Sequence, residues 1–166
     1  MNPEPAYLDL LRRFDKEYDH FPDGRINYSG APEAVVISVF LESEGDILLL
    51  KRSQKVGTYA GRWNSVAGYL DELKTAEQIA ANELREEVGL SGEALASIQE
   101  YASYSFTDSD LGRTWHTVPV LAKAMGRPEI TLDWEHTEYV WIKPAQLGEF
   151  EVVPHLEDVL VACGLI

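Results

Sequence analysis

Residues 68–90, GYLDELKTAEQIAANELREEVGL, carry the most informative pattern in this chain. The second half of the segment predicts a helix over residues 75–88. Thr75 is the expected N-cap residue, and Gln78, three positions later, would complete a capping box. Gly89 stands where a glycine commonly ends a helix. The segment is therefore predicted to be a loop followed by a helix with well-defined ends.

Three glutamates of this predicted helix, Glu83, Glu86 and Glu87, lie within an arc of roughly 100° on one face. The neighbouring stripe is apolar and would pack on a sheet; its members are Ala81, Leu84 and Val88. Like charges at this spacing destabilise an isolated helix by about a few tenths of a kcal/mol per pair, and a hard cation such as Mg²⁺ would offset that cost. The pattern indicates either a carboxylate metal site or an ordinary solvated acidic face.

The segments on either side of the predicted helix alternate between strand and helix patterns. Before it, we expect a helix over 5–18, strands over 34–41 and 46–51 joined as a hairpin, and a strand over 63–69. After it, we expect strands over 96–106, 114–124 and 139–142, a helical turn over 144–147 and a closing helix over 155–163. This order predicts an α/β (α+β) fold, with a mixed β-sheet sandwiched between helices.

The composition excludes several classes of protein. The chain has 166 residues and a net charge of −14, and it shows no basic stripe of the kind that neutralises a nucleic-acid polymer. No apolar run reaches the length of a membrane span, and residues 1–11 do not read as a signal peptide. With one cysteine, Cys163, neither an internal disulfide nor a cysteine-based zinc site can form. We expect a cytoplasmic protein of one domain overall, with no membrane partner.

The segment 68–90 resembles the Nudix box, G-x5-E-x7-R-E-U-x-E-E-x-G-U, where U is aliphatic. Seven of the nine defined positions match: Gly68, Glu83, Leu84, Glu86, Glu87, Gly89 and Leu90. Two positions depart from the pattern, because Lys74 replaces the first glutamate and Asn82 replaces the arginine. In the family these two residues usually support the loop and the helix. We expect Lys74 either to contact a helix glutamate or a substrate phosphate instead, or to be a solvated loop lysine.

The likeness to the family extends beyond the box, over about residues 34–145. It includes the run ILLLKRS before the box and the run EHTEYVWI after it. Residues 1–30 lie outside this likeness and are predicted to be an N-terminal helix and loop extension, whereas residues 31–166 would form the Nudix-like domain.

The resemblance implies a pyrophosphohydrolase that cleaves the diphosphate linkage of a nucleoside diphosphate derivative. Its substrate would be a small phosphorylated molecule, namely a nucleotide sugar, a dinucleotide or a nucleoside triphosphate, and its cofactor Mg²⁺, with Mn²⁺ as the alternative. The implied metal ligands are the carboxylates of the three helix glutamates, the Gly68 carbonyl and Glu135. Glu86 is the first candidate for the general base and Glu83 the second.

Basic residues near the implied site are candidates for binding phosphate. Arg52 is preferred, because a guanidinium can hold phosphate oxygens in a bidentate manner, and Arg62 and Lys74 are the lesser candidates. Tyr104 and Phe106 alternate along a predicted strand and share a face, which would either stack a nucleobase or be buried.

Two other functions remain open. One is a catalytically weak Nudix-fold module that binds or senses a nucleotide, which the departures at Lys74 and Asn82 favour. The other is an isomerase of the isopentenyl-diphosphate type. That branch of the superfamily uses a cysteine in an early strand, and Cys163 lies far from any early strand, so the isomerase is disfavoured. The oligomeric state also stays open, with a homodimer as one alternative because many relatives dimerise.

Overall fold

The helices and strands follow the periodicities of the sequence. The computed structural model describes residues 4–166, so the first three residues of the predicted N-terminal extension lie outside it. The elements are α1 (Ala6–Glu17), β1 (Glu33–Ser43), β2 (Asp46–Arg52), β3 (Trp63–Asn64), β4 (Val66–Tyr69), α2 (Ala76–Val88), β5 (Leu95–Glu100), β6 (Tyr104–Asp108), β7 (Arg113–Ala124), β8 (His136–Ile142) and α3 (Leu156–Ala162). Short 3₁₀ segments span Gly92–Ala94 and Pro144–Glu149. Within residues 4–166, no helix has both the length and the apolar character needed to cross a bilayer.

Strand β1 is the centre of one eight-stranded mixed sheet. It runs parallel to β7 and antiparallel to β4, so that Ile37 lies between Val118 on one side and Gly68 on the other. The predicted hairpin is confirmed, although β1 and β2 pair only next to the turn before they diverge. Strand β2 then pairs with β3 and β8, and β7 pairs with β5 and β6. The mixed sheet confirms the predicted fold class.

Alternation along the strands fills two cores, one on each face of the sheet. Leu48 and Leu50 belong to the core that includes α1 and α2, whereas Ile47 and Leu49 belong to the core that includes α3. Because both faces are covered, the central strands are nearly continuous apolar runs. The helices therefore enclose the sheet, and α2 is held against the face where β4 ends.

Two predicted strands are interrupted. The strand expected over 63–69 breaks at Ser65, whose backbone N–H is taken by Asn64 Oδ1 at 2.8 Å instead of by a neighbouring strand. The strand expected over 96–106 divides into β5 and β6 opposite Pro119 of β7. Proline has no N–H to donate to a ladder, and Tyr101 N donates to Pro119 O at 2.9 Å at this break. Both breaks arise from local hydrogen bonding that hydropathy does not reveal.

Helix α1 is bonded to the start of α2. Its buried residues Tyr7, Leu11 and Phe14 join the same core as α2. The Tyr7 hydroxyl accepts a hydrogen bond from Ala76 N at 2.9 Å and donates one to Glu100 Oε2 at 2.7 Å. The first turn of α2 is thus held partly by a side chain from α1.

Candidate active site

The ends of α2 are fixed by local hydrogen bonds, as the sequence predicts. Thr75 Oγ1 accepts from Gln78 N at 3.3 Å, and Gln78 Oε1 accepts from Thr75 N at 3.0 Å, which completes the capping box. At the other end Gly89 has a φ of 75°, and a Cβ there would lie 3.1 Å from Thr131 Cβ. Both the conformation and the close approach favour glycine, so the position of the helix along the sheet is well defined.

Gly68 lies directly against the side chain of Glu83. A Cβ on residue 68 would lie 2.6 Å from Glu83 Cδ and 2.8 Å from Glu83 Oε1, so that a larger residue cannot occupy this position without moving the carboxyl. The glycine at the end of β4 therefore provides the space in which the carboxyl of Glu83 rests.

The three helix glutamates differ in exposure, which does not fit the alternative of an ordinary solvated acidic face. Glu86 is exposed and Glu83 is half-buried, whereas Glu87 is only 2% exposed. The buried side of α2 consists of Ala76, Ile79, Ala80, Leu84, Glu87 and Val88. Ala81, expected on the apolar stripe, is half-buried. The helix is rotated so that one carboxylate points into the protein.

Burial and mutual repulsion raise the pKa values of the two inner glutamates. Burial is the largest cause for Glu83, whose pKa is raised to about 7, with the charges of Glu86 and Glu135 adding to the effect. Burial also raises the pKa of Glu87 well above its usual range, and a hydrogen bond to Glu83 together with its charge adds to this. Within residues 4–166, the buried Glu87 Oε2 has no hydrogen-bond donor. The two carboxyls thus form a close pair whose combined negative charge a cation could neutralise.

Another side of the site is formed by the loop before β8 and by the first residue of β8. Glu135 is half-buried, and burial, followed by the charge of Asp133, raises its pKa. Next to it His136 is buried, and the ligand atoms of Glu87, Glu135 and His136 all lie within 4.8 Å of one another. Burial lowers the pKa of His136. His136 is not among the residues predicted for the site, and the strand predicted over 139–142 begins at His136 instead. Its place directly after Glu135, a predicted ligand, is the local signal that could have identified it.

One cleft of about 460 Å³ joins these groups to Arg52. Gly68, Glu83, Glu86, Glu135 and Arg52 all line it, and Glu87 lies beneath them. The Arg52 guanidinium is oriented by a bond from Nε to Thr58 O at 2.9 Å. Burial lowers the pKa of Arg52, and the charge of Glu135 opposes that effect. A cation beside three carboxylates gives the cleft both kinds of group needed to hold a metal–phosphate complex.

The far side of the cleft is aromatic. Tyr104 and Phe106 line it, with ring centroids 6.5 Å apart and planes 24° apart, which confirms that they share a face. Trp115, from the adjacent strand β7, lines the same side. The cleft thus combines an acidic and cationic end with an aromatic end.

Two residues predicted for the site, Lys74 and Arg62, lie outside the cleft, whereas Asn82 lines it. Lys74 pairs with Glu72 of the loop, Nζ to Oε2 3.2 Å, and lines a separate hollow beside α1. Asn82 lines the cleft and accepts a hydrogen bond from Arg85 Nη2 at 3.1 Å. Arg62 is half-buried and is not among the residues that line the cleft.

Comparison with known proteins gives a matching family, relatives in sequence and similar solved structures. The NUDIX domain profile matches residues 30–162. The chain is 30% identical over 144 residues to an isopentenyl-diphosphate Delta-isomerase of Corynebacterium diphtheriae, covering 83% of this chain and 79% of that protein. It is 22% identical over 143 residues to the nucleoside triphosphatase NudI of Klebsiella pneumoniae, covering 81% and 99%. A MutT protein from Methanosarcina mazei Go1 shares the fold, with a TM-score of 0.64, 22% identity, and coverage of 78% and 91%.

Proposed function

The chain belongs to the Nudix family of pyrophosphohydrolases, and we propose that it hydrolyses the diphosphate linkage of a nucleoside diphosphate derivative with the help of Mg²⁺ or Mn²⁺. The observation that carries this proposal is the carboxyl pair of Glu83 and Glu87. Glu83 lines the cleft together with Arg52, and the buried Oε2 of Glu87 has no hydrogen-bond partner among residues 4–166. Such a pair is stable as two carboxylates only when a cation neutralises it.

The donor set fits a divalent cation. Glu83, Glu86, Glu87 and Glu135 offer carboxylate oxygens around one end of the cleft, and the Gly68 backbone lies against Glu83. Oxygen ligands of this kind suit Mg²⁺ and Mn²⁺. When bound there, the metal supplies positive charge to the phosphate oxygens and lowers the pKa of a bound water.

Arg52 and Glu86 have separate roles in the proposed reaction. Arg52, already oriented by Thr58, would hold phosphate oxygens and orient the diphosphate. Glu83 is occupied by its pairing with Glu87, whereas Glu86 is exposed on the cleft wall and is the better placed to accept a proton from water. We therefore assign the general base to Glu86, with Glu83 as the alternative.

The aromatic end of the cleft supports a nucleoside rather than a bare inorganic diphosphate. Tyr104 and Phe106 line the cleft, and His155 contacts both, its ring stacked on Phe106 at 4.2 Å and its backbone oxygen accepting from the Tyr104 hydroxyl at 3.0 Å. Such an aromatic lining suits a nucleobase, and the volume of about 460 Å³ is within the range of small-ligand sites. NudI of Klebsiella pneumoniae, a relative of this chain, is named a nucleoside triphosphatase. A nucleotide substrate is therefore our proposal for this site.

The test is a panel of nucleotide sugars, ADP-ribose, dinucleotides and nucleoside triphosphates, assayed for product with and without Mg²⁺ or Mn²⁺. We expect metal-dependent cleavage of at least one compound and its loss in Glu87→Gln. Glu93→Gln, a change at an exposed glutamate outside the cleft, is the matched control and should keep full activity. A folded protein that binds nucleotide but cleaves none of the panel would instead be a sensor module.

A second candidate function is isomerisation of isopentenyl diphosphate, because the relative from Corynebacterium diphtheriae is named an isomerase. The only cysteine of this chain, Cys163, is buried in the core beneath α3, and burial raises the pKa of its thiol to about 11. It is not among the residues that line the cleft. Conversion of isopentenyl diphosphate to dimethylallyl diphosphate, with no cleavage of any nucleotide, would favour the isomerase instead.

A further inference from the structure

The two ring nitrogens of His136 have different surroundings. Nδ1 lies 3.0 Å from Asp133 Oδ1, and the same oxygen accepts a hydrogen bond from Glu135 N at 3.2 Å. A carboxylate oxygen in this position is an acceptor, so the hydrogen-bond network assigns the ring proton to Nδ1. In the neutral imidazole the lone pair is then on Nε2.

Nε2 points toward acceptors rather than donors. It lies 3.6 Å from Glu87 Oε1, beyond hydrogen-bond distance, and the ring is 1% exposed. The other oxygen of Glu87, Oε2, is buried and has no hydrogen-bond partner in the described part of the chain. Nε2 and carboxylate oxygens of Glu87 and Glu135 lie within 4.8 Å of one another. The charge of Arg52 acts on both carboxyls, but its guanidinium is bonded to Thr58 O. A metal ion among the three groups would give them a shared positive partner.

We propose that Nε2 of His136, together with carboxylate oxygens of Glu87 and Glu135, forms an inner cation position that prefers Zn²⁺ or Co²⁺ to Mg²⁺. This inference rests on the proposed function, because Glu87 and Glu135 belong to the same site. Imidazole nitrogen is a better ligand for these transition metals than for Mg²⁺, which prefers oxygen. Three protein ligands leave coordination positions free for water or for a substrate oxygen.

The surroundings of the ring resemble those of a metal-binding histidine. Such histidines commonly donate their second N–H to a carboxylate, which fixes the orientation of the ring, and Asp133 does this here. The loop that carries these residues is joined to the end of α2, through Thr131 N to Val88 O at 3.0 Å and Asp133 N to Glu87 O at 3.3 Å. The nitrogen from the loop and the carboxylate from the helix are therefore held at a fixed spacing.

The first experiment compares the metal affinities of the metal-free protein and of two variants by calorimetry and by Co²⁺ absorption. His136→Gln should lose Co²⁺ and Zn²⁺ affinity by about tenfold or more and retain most of its Mg²⁺ affinity. His20→Gln, at an exposed histidine paired with Asp15, is the matched control and should bind all three metals as the wild type does. Equal losses for Mg²⁺ and Zn²⁺ in His136→Gln, or no loss, would overturn the inference.

The second experiment uses the wild-type protein, so it does not depend on the variant folding. Nitrogen-15 spectra of the histidine rings, recorded as Zn²⁺ is added, should show a large change at Nε2 of His136 while Nδ1 keeps its proton. Zn²⁺ binding with an unchanged Nε2 signal refutes the inference but leaves the proposed hydrolase intact if the nucleotide assay is positive. Absence of binding of any divalent metal to the wild type refutes both.

Discussion

Gly68 and Glu83 meet so closely that no side chain fits between them, since a Cβ on residue 68 would lie 2.6 Å from Glu83 Cδ. The backbone of Gly68 does not have the positive φ that only glycine tolerates well. The glycine is therefore needed for space and not for conformation. Its replacement should disturb the carboxyl and leave the strand in place.

Gly68→Ala is predicted to lower kcat by about a hundredfold, because the displaced Glu83 carboxyl leaves its position beside Glu87. The melting temperature should change little, since the crowded atoms belong to the movable end of a side chain. Steady-state kinetics and thermal unfolding check the two parts. Gly57→Ala is the control, because a Cβ at Gly57 would have no atom within 4 Å. This variant should keep the wild-type kcat and melting temperature. A Gly68→Ala enzyme of normal kcat would contradict the proposed role of Glu83.

The raised pKa of Glu87 predicts that replacing it stabilises the metal-free protein in a pH-dependent way. A carboxyl whose pKa is higher in the folded state binds more protons there than in the unfolded chain, so its contribution to stability falls as pH rises above about 4.3. At pH 5, close to the ordinary pKa of a glutamate, Glu87→Gln should differ little from the wild type. At pH 7.5 the variant should melt at least about 3 °C higher.

Thermal unfolding in the presence of a chelator measures this difference at the two pH values. For Glu93→Gln, at an exposed site, the difference in melting temperature from the wild type should be the same at both pH values. Addition of Mg²⁺ at pH 7.5 should then stabilise the wild type more than Glu87→Gln, because the metal replaces the proton. An equal response of the two proteins would mean that Glu87 does not contact the metal.

Glu86→Gln is predicted to reduce kcat by about a hundredfold to a thousandfold while leaving stability unchanged, because Glu86 is exposed on the cleft wall and the amide cannot accept a proton. The pH dependence of kcat in the variant should lose its acidic limb. Glu157→Gln, at an exposed glutamate of α3, serves as control. A larger kcat loss in Glu83→Gln, with the acidic limb retained in Glu86→Gln, would transfer the role of base to Glu83.

Arg52→Lys is predicted to raise KM for a nucleotide substrate by about tenfold, since an ammonium cannot make the two parallel bonds of a guanidinium. Arg62→Lys is the matched comparison and should leave KM unchanged, because Arg62 does not line the cleft. Initial rates over a range of substrate concentrations distinguish the two variants. Equal effects would show that the substrate reaches beyond the cleft defined by these residues.

The features that sequence reasoning predicted well are those set by neighbours along the chain. The capping box of Thr75 and Gln78 and the glycine stop at Gly89 depend on residues within a few positions of one another. A helical wheel also gives the angle between Glu86 and Glu87. It does not give the rotation of the helix against the sheet, which decides that one is exposed and the other buried.

The position of His136 could not be derived from spacing, because it depends on tertiary pairing. The register of β2 with β8 places His136 opposite Arg52, and the loop before β8 is bonded to the end of α2. Those contacts join residues about forty to eighty-five positions apart, and a single sequence does not specify them. The adjacent Glu135 was a weak local signal for His136, and the approach of His136 to Glu87 depends on the tertiary contacts.

The parallel pairing of β1 with β7 has a consequence for how the protein folds during its synthesis. Ile37 and Val118 are partners in that pairing, and α2 lies within the long stretch of chain between them. A nascent chain on the ribosome cannot form this pairing until β7 has emerged, well after the glutamates have been synthesised. Helix α2 is therefore synthesised before the sheet on which it packs is complete. We expect folding on the ribosome to be completed late.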